Sequence, residues 1–361
     1  MPPTSSFPPF APVPAGIRGG LVQLGLAALS AAALLAGTPV RAAEPQASGG
    51  ALWQGELEGR VQVSITLFPQ AGTDRIDGTA RYDSRLAATP RQLDGQLTSD
   101  GSLSWRERDA GGEAPAGTLP RNGARFEGTV AADGRTLSGQ WTSADGTRRL
   151  PLSLTRKAVY RERSVDAGGV RLTERFPETG RPGLDALIAS LRTSGCGDGE
   201  RECRSAIELM RLDAGTVSLL RTTWRYSGGA HGSLDYAGGS WRRAAAEPAS
   251  AASPASPQAV YTRILLGDLL QPGETCLARL NEELQAALKR QGAAAPAHGA
   301  LGEQAVHDPL LPFTLYRGGV VLHYAPYAVG PFAQGSYQVA VPFARLGNCA
   351  RPNGAGQDKS P

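Results

Sequence analysis

The sequence predicts two β-rich units: an N-terminal all-β antiparallel meander or barrel over residues 50–156, and a C-terminal α+β unit over residues 157–349 with an antiparallel sheet and helices. Three observations carry this expectation. Apolar and polar residues alternate in short runs from Ala51 onward, as in Val61, Val63, Ile65 and Leu67 with Gln62, Ser64 and Thr66 between them. Turn signals recur about every ten residues, many of them Asp-Gly pairs. Helical periodicity is confined to the second half and does not alternate with strands as a repeated βαβ pattern would require.

The chain opens with a stretch that reads as a signal peptide rather than as fold. Arg18 precedes a mostly apolar run from Leu21 to Leu35, and Gly37, Pro39 and Val40-Arg41-Ala42 supply a small-residue cleavage site near Ala42 or Ala43. The apolar run is about 15 residues, short of the ~20 that span a bilayer. With no Cys at the cleavage site, a lipid anchor is disfavoured, and the long stretch ahead of Arg18 leaves room for a start codon further in. A periplasmic or secreted protein is expected, with no integral membrane segment after cleavage.

The full chain has 37 basic and 33 acidic residues, a formal charge of +4. Loss of Arg18 and Arg41 leaves 35 against 33, or +2. Nearly all the positive charge is arginine scattered among acids, with Lys157, Lys289 and Lys359 the only lysines, so no nucleic-acid footprint is indicated.

In the first unit, about nine strand-like runs end with Arg149–Leu154. Asp100-Gly101 and Asp133-Gly134 each precede a new run and read as hairpin turns. Asp94-Gly95 lies within a run and reads as a bulge or barrel corner. Trp53 and Trp141 are expected to meet where the first and last strands close.

In the second unit, runs at 158–165 and 169–176 read as strands. Leu184, Leu187, Ile188 and Leu191 then share one helical face behind Pro182, with Gly195 and Gly197 as the stop. Residues 206–210 read as a continuation of helix, and Thr216–Tyr226 as a strand. Residues 244–259 are a low-complexity Ala/Ser/Pro insertion. The clearest helix carries Leu277, Leu280, Leu284 and Leu288 on one face. Residues 350–361 are expected to form a disordered tail. All four cysteines lie in this half, and an exported chain favours disulfides. Of the three pairings open to them, Cys196–Cys203 with Cys276–Cys349 is preferred, because the first closes a short polar loop that would otherwise be floppy. No histidine stands at the short spacing of a zinc module, so neither a metal nor another cofactor is expected.

Two stretches stand out. Tyr226-Ser227-Gly228-Gly229-Ala230-His231-Gly232 places a histidine after adjacent glycines, and Pro326–Gly335 packs Pro326, Tyr327, Gly330, Pro331 and Phe332 into a loop with few backbone choices. Together with ILLGDLL and the closing strands, they resemble the exported domain DUF3298, often preceded by a DUF4163-type region, over roughly residues 158–347. The first unit, opening on Trp53-Gln54-Gly55 and closing on Gly139-Gln140-Trp141, resembles small exported bacterial W-x-G β-domains. The DUF3298 resemblance implies a wall-associated protein, since members include the extracellular part of a lysozyme-sensing anti-sigma factor and the non-catalytic half of a peptidoglycan deacetylase. This chain has neither a sigma-binding segment nor a deacetylase metal motif, so neither activity carries over.

The expectation is therefore a non-enzymatic envelope protein that binds a cell-wall component such as peptidoglycan, or a wall-degrading protein such as lysozyme. Tyr226, Gly228, Gly229, His231, Pro326, Tyr327, Pro331 and Phe332 would form the binding surface. The alternatives are an envelope hydrolase with His231 as general base helped by Asp235 or His323, and a purely structural role. No catalytic residue is assigned, because no G-x-S-x-G elbow, free nucleophilic Cys or metal spacing is present. A groove between the Gly228–His231 turn and the aromatic loop would favour a receptor; a filled flat surface would favour a scaffold.

Overall fold

The computed structural model describes residues 46–59, 61–82, 90–109, 123–167, 170–193, 195–197, 199–244 and 260–351. The expected signal peptide, nearly all of the 244–259 insertion and residues 352–361 lie outside the described residues.

Eight antiparallel strands, where the run count suggests about nine, form a closed barrel. They are β1 (Gln46–Leu57), β2 (Val61–Pro69), β3 (Arg75–Tyr82), β4 (Arg91–Leu97), β5 (Ser102–Asp109), β6 (Arg125–Val130), β7 (Thr136–Thr142) and β8 (Arg149–Ala167). Each pairs with its neighbour, and β1 closes the circle against β8, Gly55 facing Leu154. Closure removes the exposed edges that an open sheet of this length would leave. The alternation read from the sequence holds: Val63, Ile65 and Leu67 are buried in one core with Trp53, Ile76, Leu93, Trp105, Phe126, Leu137, Leu152 and Leu154. At the Asp100 and Asp133 hairpins, each aspartate accepts a hydrogen bond from the backbone N–H two residues on. Gly95 marks no bulge. It sits in continuous register opposite Trp105, and a Cβ there would collide with the Ser104 carbonyl oxygen, so its role is close backbone approach.

The two outer tryptophans do not mark the seam. Closure falls one strand later than Trp141, which lies on β7 and donates its indole N–H to Tyr82 Oη at 3.1 Å and Glu107 Oε1 at 3.3 Å. The aromatic stack of the barrel core is instead Trp105 on Phe126, centroids 4.0 Å apart. Glu107 is 3% exposed, accepts a hydrogen bond from Tyr82, and lies 3.8 Å from Arg91. Burial raises its carboxyl pKa, more strongly than these partners lower it. A group whose folded pKa is raised favours folding below its ordinary value near 4.5, and that contribution is lost as pH rises through the folded pKa. Glu107→Gln should therefore gain on the order of 1 kcal/mol at pH 8 relative to wild type and little at pH 4. Urea melts across that range measure this, and parallel pH profiles for the two proteins would refute it.

The same sheet continues past the barrel. The second half of β8 pairs with β9 (Val170–Glu178), and β10 (Glu202–Leu212), β11 (Thr216–Tyr226), β12 (Ser233–Arg243) and β13 (Tyr261–Ile264) follow in order. Residues 156 and 157, the boundary drawn from the sequence, lie inside β8. Helix α1 (Pro182–Leu191) forms as its periodicity predicts and buries Leu184 and Ile188. It connects β9 to β10, which run parallel, a single crossover in a mostly antiparallel sheet. Residues 206–210, expected to be helical, belong to β10. Burial alternates there through Cys203, Ser205, Ile207 and Leu209, and pairing with β11, joined by β9 as far as Ala206, outweighs the local helix propensity.

The last segment packs α2 (Glu274–Arg290) on a separate three-stranded sheet, β14 (Phe313–Tyr316), β15 (Gly319–Tyr324) and β16 (Tyr337–Pro342). Leu280, Leu284 and Leu288 of α2 share a core with Phe313, Leu322, Val339 and Val341. Disulfides join Cys196 to Cys203 and Cys276 to Cys349. Among the described residues, no helix is long and apolar enough to cross a membrane.

Candidate functional site

The β11–β12 hairpin turns through Ser227–Gly232. Gly228 and Gly229 adopt φ of +99° and +108°, conformations that side chains disfavour, so the adjacent glycines are what let the chain reverse here. Tyr226 Oη donates to the Gly229 carbonyl at 3.1 Å and folds the turn back over its own strand. This leaves His231 exposed at the tip with Nδ1 3.0 Å from the Gly232 carbonyl oxygen. Donation from Nδ1 to that carbonyl leaves Nε2 as the acceptor, facing Tyr327 Oη at 3.5 Å.

The aromatic loop approaches from β15. Its shape is held from outside: Gln334 accepts from Ala294 N and donates to the Gly292 carbonyl, each at 3.0 Å, and Ala295 N donates to the Val329 carbonyl at 2.9 Å. Val329 is buried in the α2 core, and Ser336 receives a hydrogen bond from Tyr236 at 2.8 Å. On this frame Tyr327 is 64% exposed with φ of +73°, a left-handed conformation that costs an aromatic residue energy and persists because its neighbours dictate it.

The two motifs touch. The His231 ring lies flat on Phe332, centroids 3.7 Å apart and planes 16° from parallel, and Tyr327 lies 5.5 Å from Phe332. The line where turn and loop meet is thus filled by stacked rings rather than opened as a groove. Pro326 and Pro331 stand at the shoulders of the loop, half-buried and exposed respectively. Trp224 and Arg204, absent from the sequence reading, extend the surface: Trp224 stacks on Tyr226 at 6.0 Å, with the Arg204 guanidinium 5.3 Å above the Trp224 ring. Trp224 was legible, since it precedes Tyr226 by two residues on a strand and shares its face.

The helpers considered for a catalytic His231 are placed elsewhere. Asp235 pairs with Arg225, which also reaches Glu200 at 3.2 Å. His323 is 3% exposed, with Nε2 2.9 Å from Thr314 Oγ1, and burial, followed by the charge of Arg81, pushes its pKa down to about 3. It is a neutral core residue beside Tyr236, 5.6 Å between centroids.

Residues 267–344, which include the aromatic loop and begin after the glycine hairpin, match the family model described as Protein of unknown function (DUF3298). The chain is similar to a DUF3298 family protein of known crystal structure from Pseudomonas aeruginosa PAO1, at 16% identity over 55% of this chain and 94% of that one, with a TM-score of 0.36. It is also similar to a family member from Bacteroides fragilis NCTC 9343, at 13% identity over 54% and 94%, with a TM-score of 0.32. No curated protein matches the chain.

Proposed function

We propose that this chain, whose C-terminal segment matches DUF3298, is a non-enzymatic exported envelope protein. Its exposed aromatic patch binds a cell-wall component or a wall-degrading protein such as lysozyme. The observation that carries this reading is Tyr327: a large ring held out in solvent, on a rigid loop, at a backbone angle that costs energy. Strain of this kind concentrates where a side chain must be presented. Export accords with two disulfides, which persist in oxidising compartments. A flat patch of rings suits the face of a globular partner, or the face of a sugar ring, better than a strand threaded through a cleft.

The filled seam between His231 and Phe332 favours a second reading, in which the patch only welds the hairpin to the loop and the protein serves as scaffold. Tyr327→Gly separates the two. Glycine accepts φ of +73° freely, so the variant should melt no lower than wild type, while retention on lysozyme or on purified peptidoglycan should fall roughly tenfold or more, as for an aromatic anchor. Failure of the wild type to hold either ligand sinks the binding reading; unchanged retention in the variant moves the site away from Tyr327.

A further inference from the structure

The outer wall of the barrel carries a charge arrangement that strand pairing disfavours. Arg106 on β5 and Arg125 on β6 are directly opposite partners, and both side chains are exposed. Like charges at opposed positions repel across a ladder, where a carboxylate on one strand would attract. The nearest candidate is already engaged: Asp94 faces Arg106 across the β4–β5 pair but is held by Arg108. Glu127 faces Ser104 instead. Arg75 of β3 joins the two arginines in lining one open groove of about 320 Å³, with Gln96 and Ser104 between them; Asp94, already paired with Arg108, and Glu127 also line it, so three arginines face one unpaired carboxylate there. Among the described residues, no ion pair engages Arg75, Arg106 or Arg125.

We propose that this groove is a binding site for a linear anionic polysaccharide, whose carboxylates or sulfates seat on Arg106 and Arg125 and continue toward Arg75. A single small oxyanion would satisfy the opposed pair only. The three arginines stand on β3, β5 and β6, and at the spacing of neighbouring strands the row spans about 14 Å from β3 to β6, so a chain bearing anions at intervals meets all of them. Nucleic acid fits less well: the two rings at the groove, Trp105 and Phe126, are buried in the barrel core and offer bases no stacking face. Gln96 and Ser104 provide the hydrogen bonds that sugar hydroxyls use. The site is separate from the aromatic patch, and its test does not depend on that reading.

The test is calorimetric titration of the full chain with polygalacturonate oligomers at low salt and at about 150 mM, where exposed charge pairs are screened. Binding in the micromolar range that weakens several-fold with salt is expected. Arg106→Gln/Arg125→Gln should weaken it about tenfold or more, and Arg148→Gln, which removes a barrel arginine paired with Glu58 outside the groove, about twofold or less. The double variant should melt at or above the wild-type temperature, because a repulsion has been removed, so lost binding is not lost folding. Absence of wild-type binding, or equal losses in the double and Arg148 variants, overturns the site. Inorganic phosphate or single-stranded DNA binding as tightly as the uronate polymer overturns the assignment of its ligand.

Discussion

Replacing Glu174 with alanine should cost about 3–5 kcal/mol of stability, the scale for removing one member of a buried ion pair. Glu174 lies on β9 with 0% exposure. Its Oε2 accepts from Arg163 Nη2 at 3.0 Å and Arg192 Nε at 2.9 Å, and its Oε1 accepts from the Thr193 backbone N–H at 3.0 Å. One carboxylate therefore compensates two guanidiniums that are each about one-fifth exposed, and it satisfies an orphan donor just past the end of α1. Alanine would leave two cations facing each other with their counter-charge gone and a backbone N–H without its partner. Glu174→Gln keeps an acceptor for Thr193 but not the charge, and should fall between alanine and wild type. Urea midpoints of the three proteins decide the matter; a loss below about 1 kcal/mol for alanine would mean that water or a neighbouring acid takes over the arginines.

The second large effect concerns the disulfides, which should not contribute equally. Cys276 and Cys349 are 73 positions apart, Cys196 and Cys203 only seven. Cross-linking limits the unfolded chain more as the closed loop lengthens, so chain entropy alone assigns about 4 kcal/mol to the long loop and about 2 kcal/mol to the short one. The long loop also encloses most of the α2 core, and its far end is pinned where Gln271 N donates to the Cys349 carbonyl at 2.8 Å. Serine replacement of the 276–349 pair should therefore lower the urea midpoint about twice as far as replacement of the 196–203 pair. Equal shifts would show that the unfolded chain is too compact for loop length to matter.

Local periodicity made much of this architecture legible. The leucines of α1 and α2 recur at three and four residues and bury one face, and the period-2 runs of the barrel point Val63, Ile65 and Leu67 inward. What failed was long-range. The stretch through Ile207 and Met210 contains good helix formers, and only its pairing with β11, through Ile207 to Leu209, makes it a strand. The parallel β9–β10 pair was hidden because one short crossover leaves no repeat to detect. At the candidate site, both motifs were visible as glycine- and proline-rich loops, but nothing local says that His231 stacks on a phenylalanine about 100 positions away. Arg106 opposite Arg125 was equally hidden, since a long connection between β5 and β6 lets no turn chemistry set their register.

The 19-residue β8 has a mechanical consequence. At about 3.3 Å per residue it is a beam some 60 Å long, bonded to β7 at one end, to β1 along its middle and to β9 at the other end. A tether between the two halves would permit them to swivel; a shared strand permits only twist and shallow flexing. The bearing of the arginine groove relative to the aromatic patch is therefore set by hydrogen bonds that would have to break before either surface could turn toward the other.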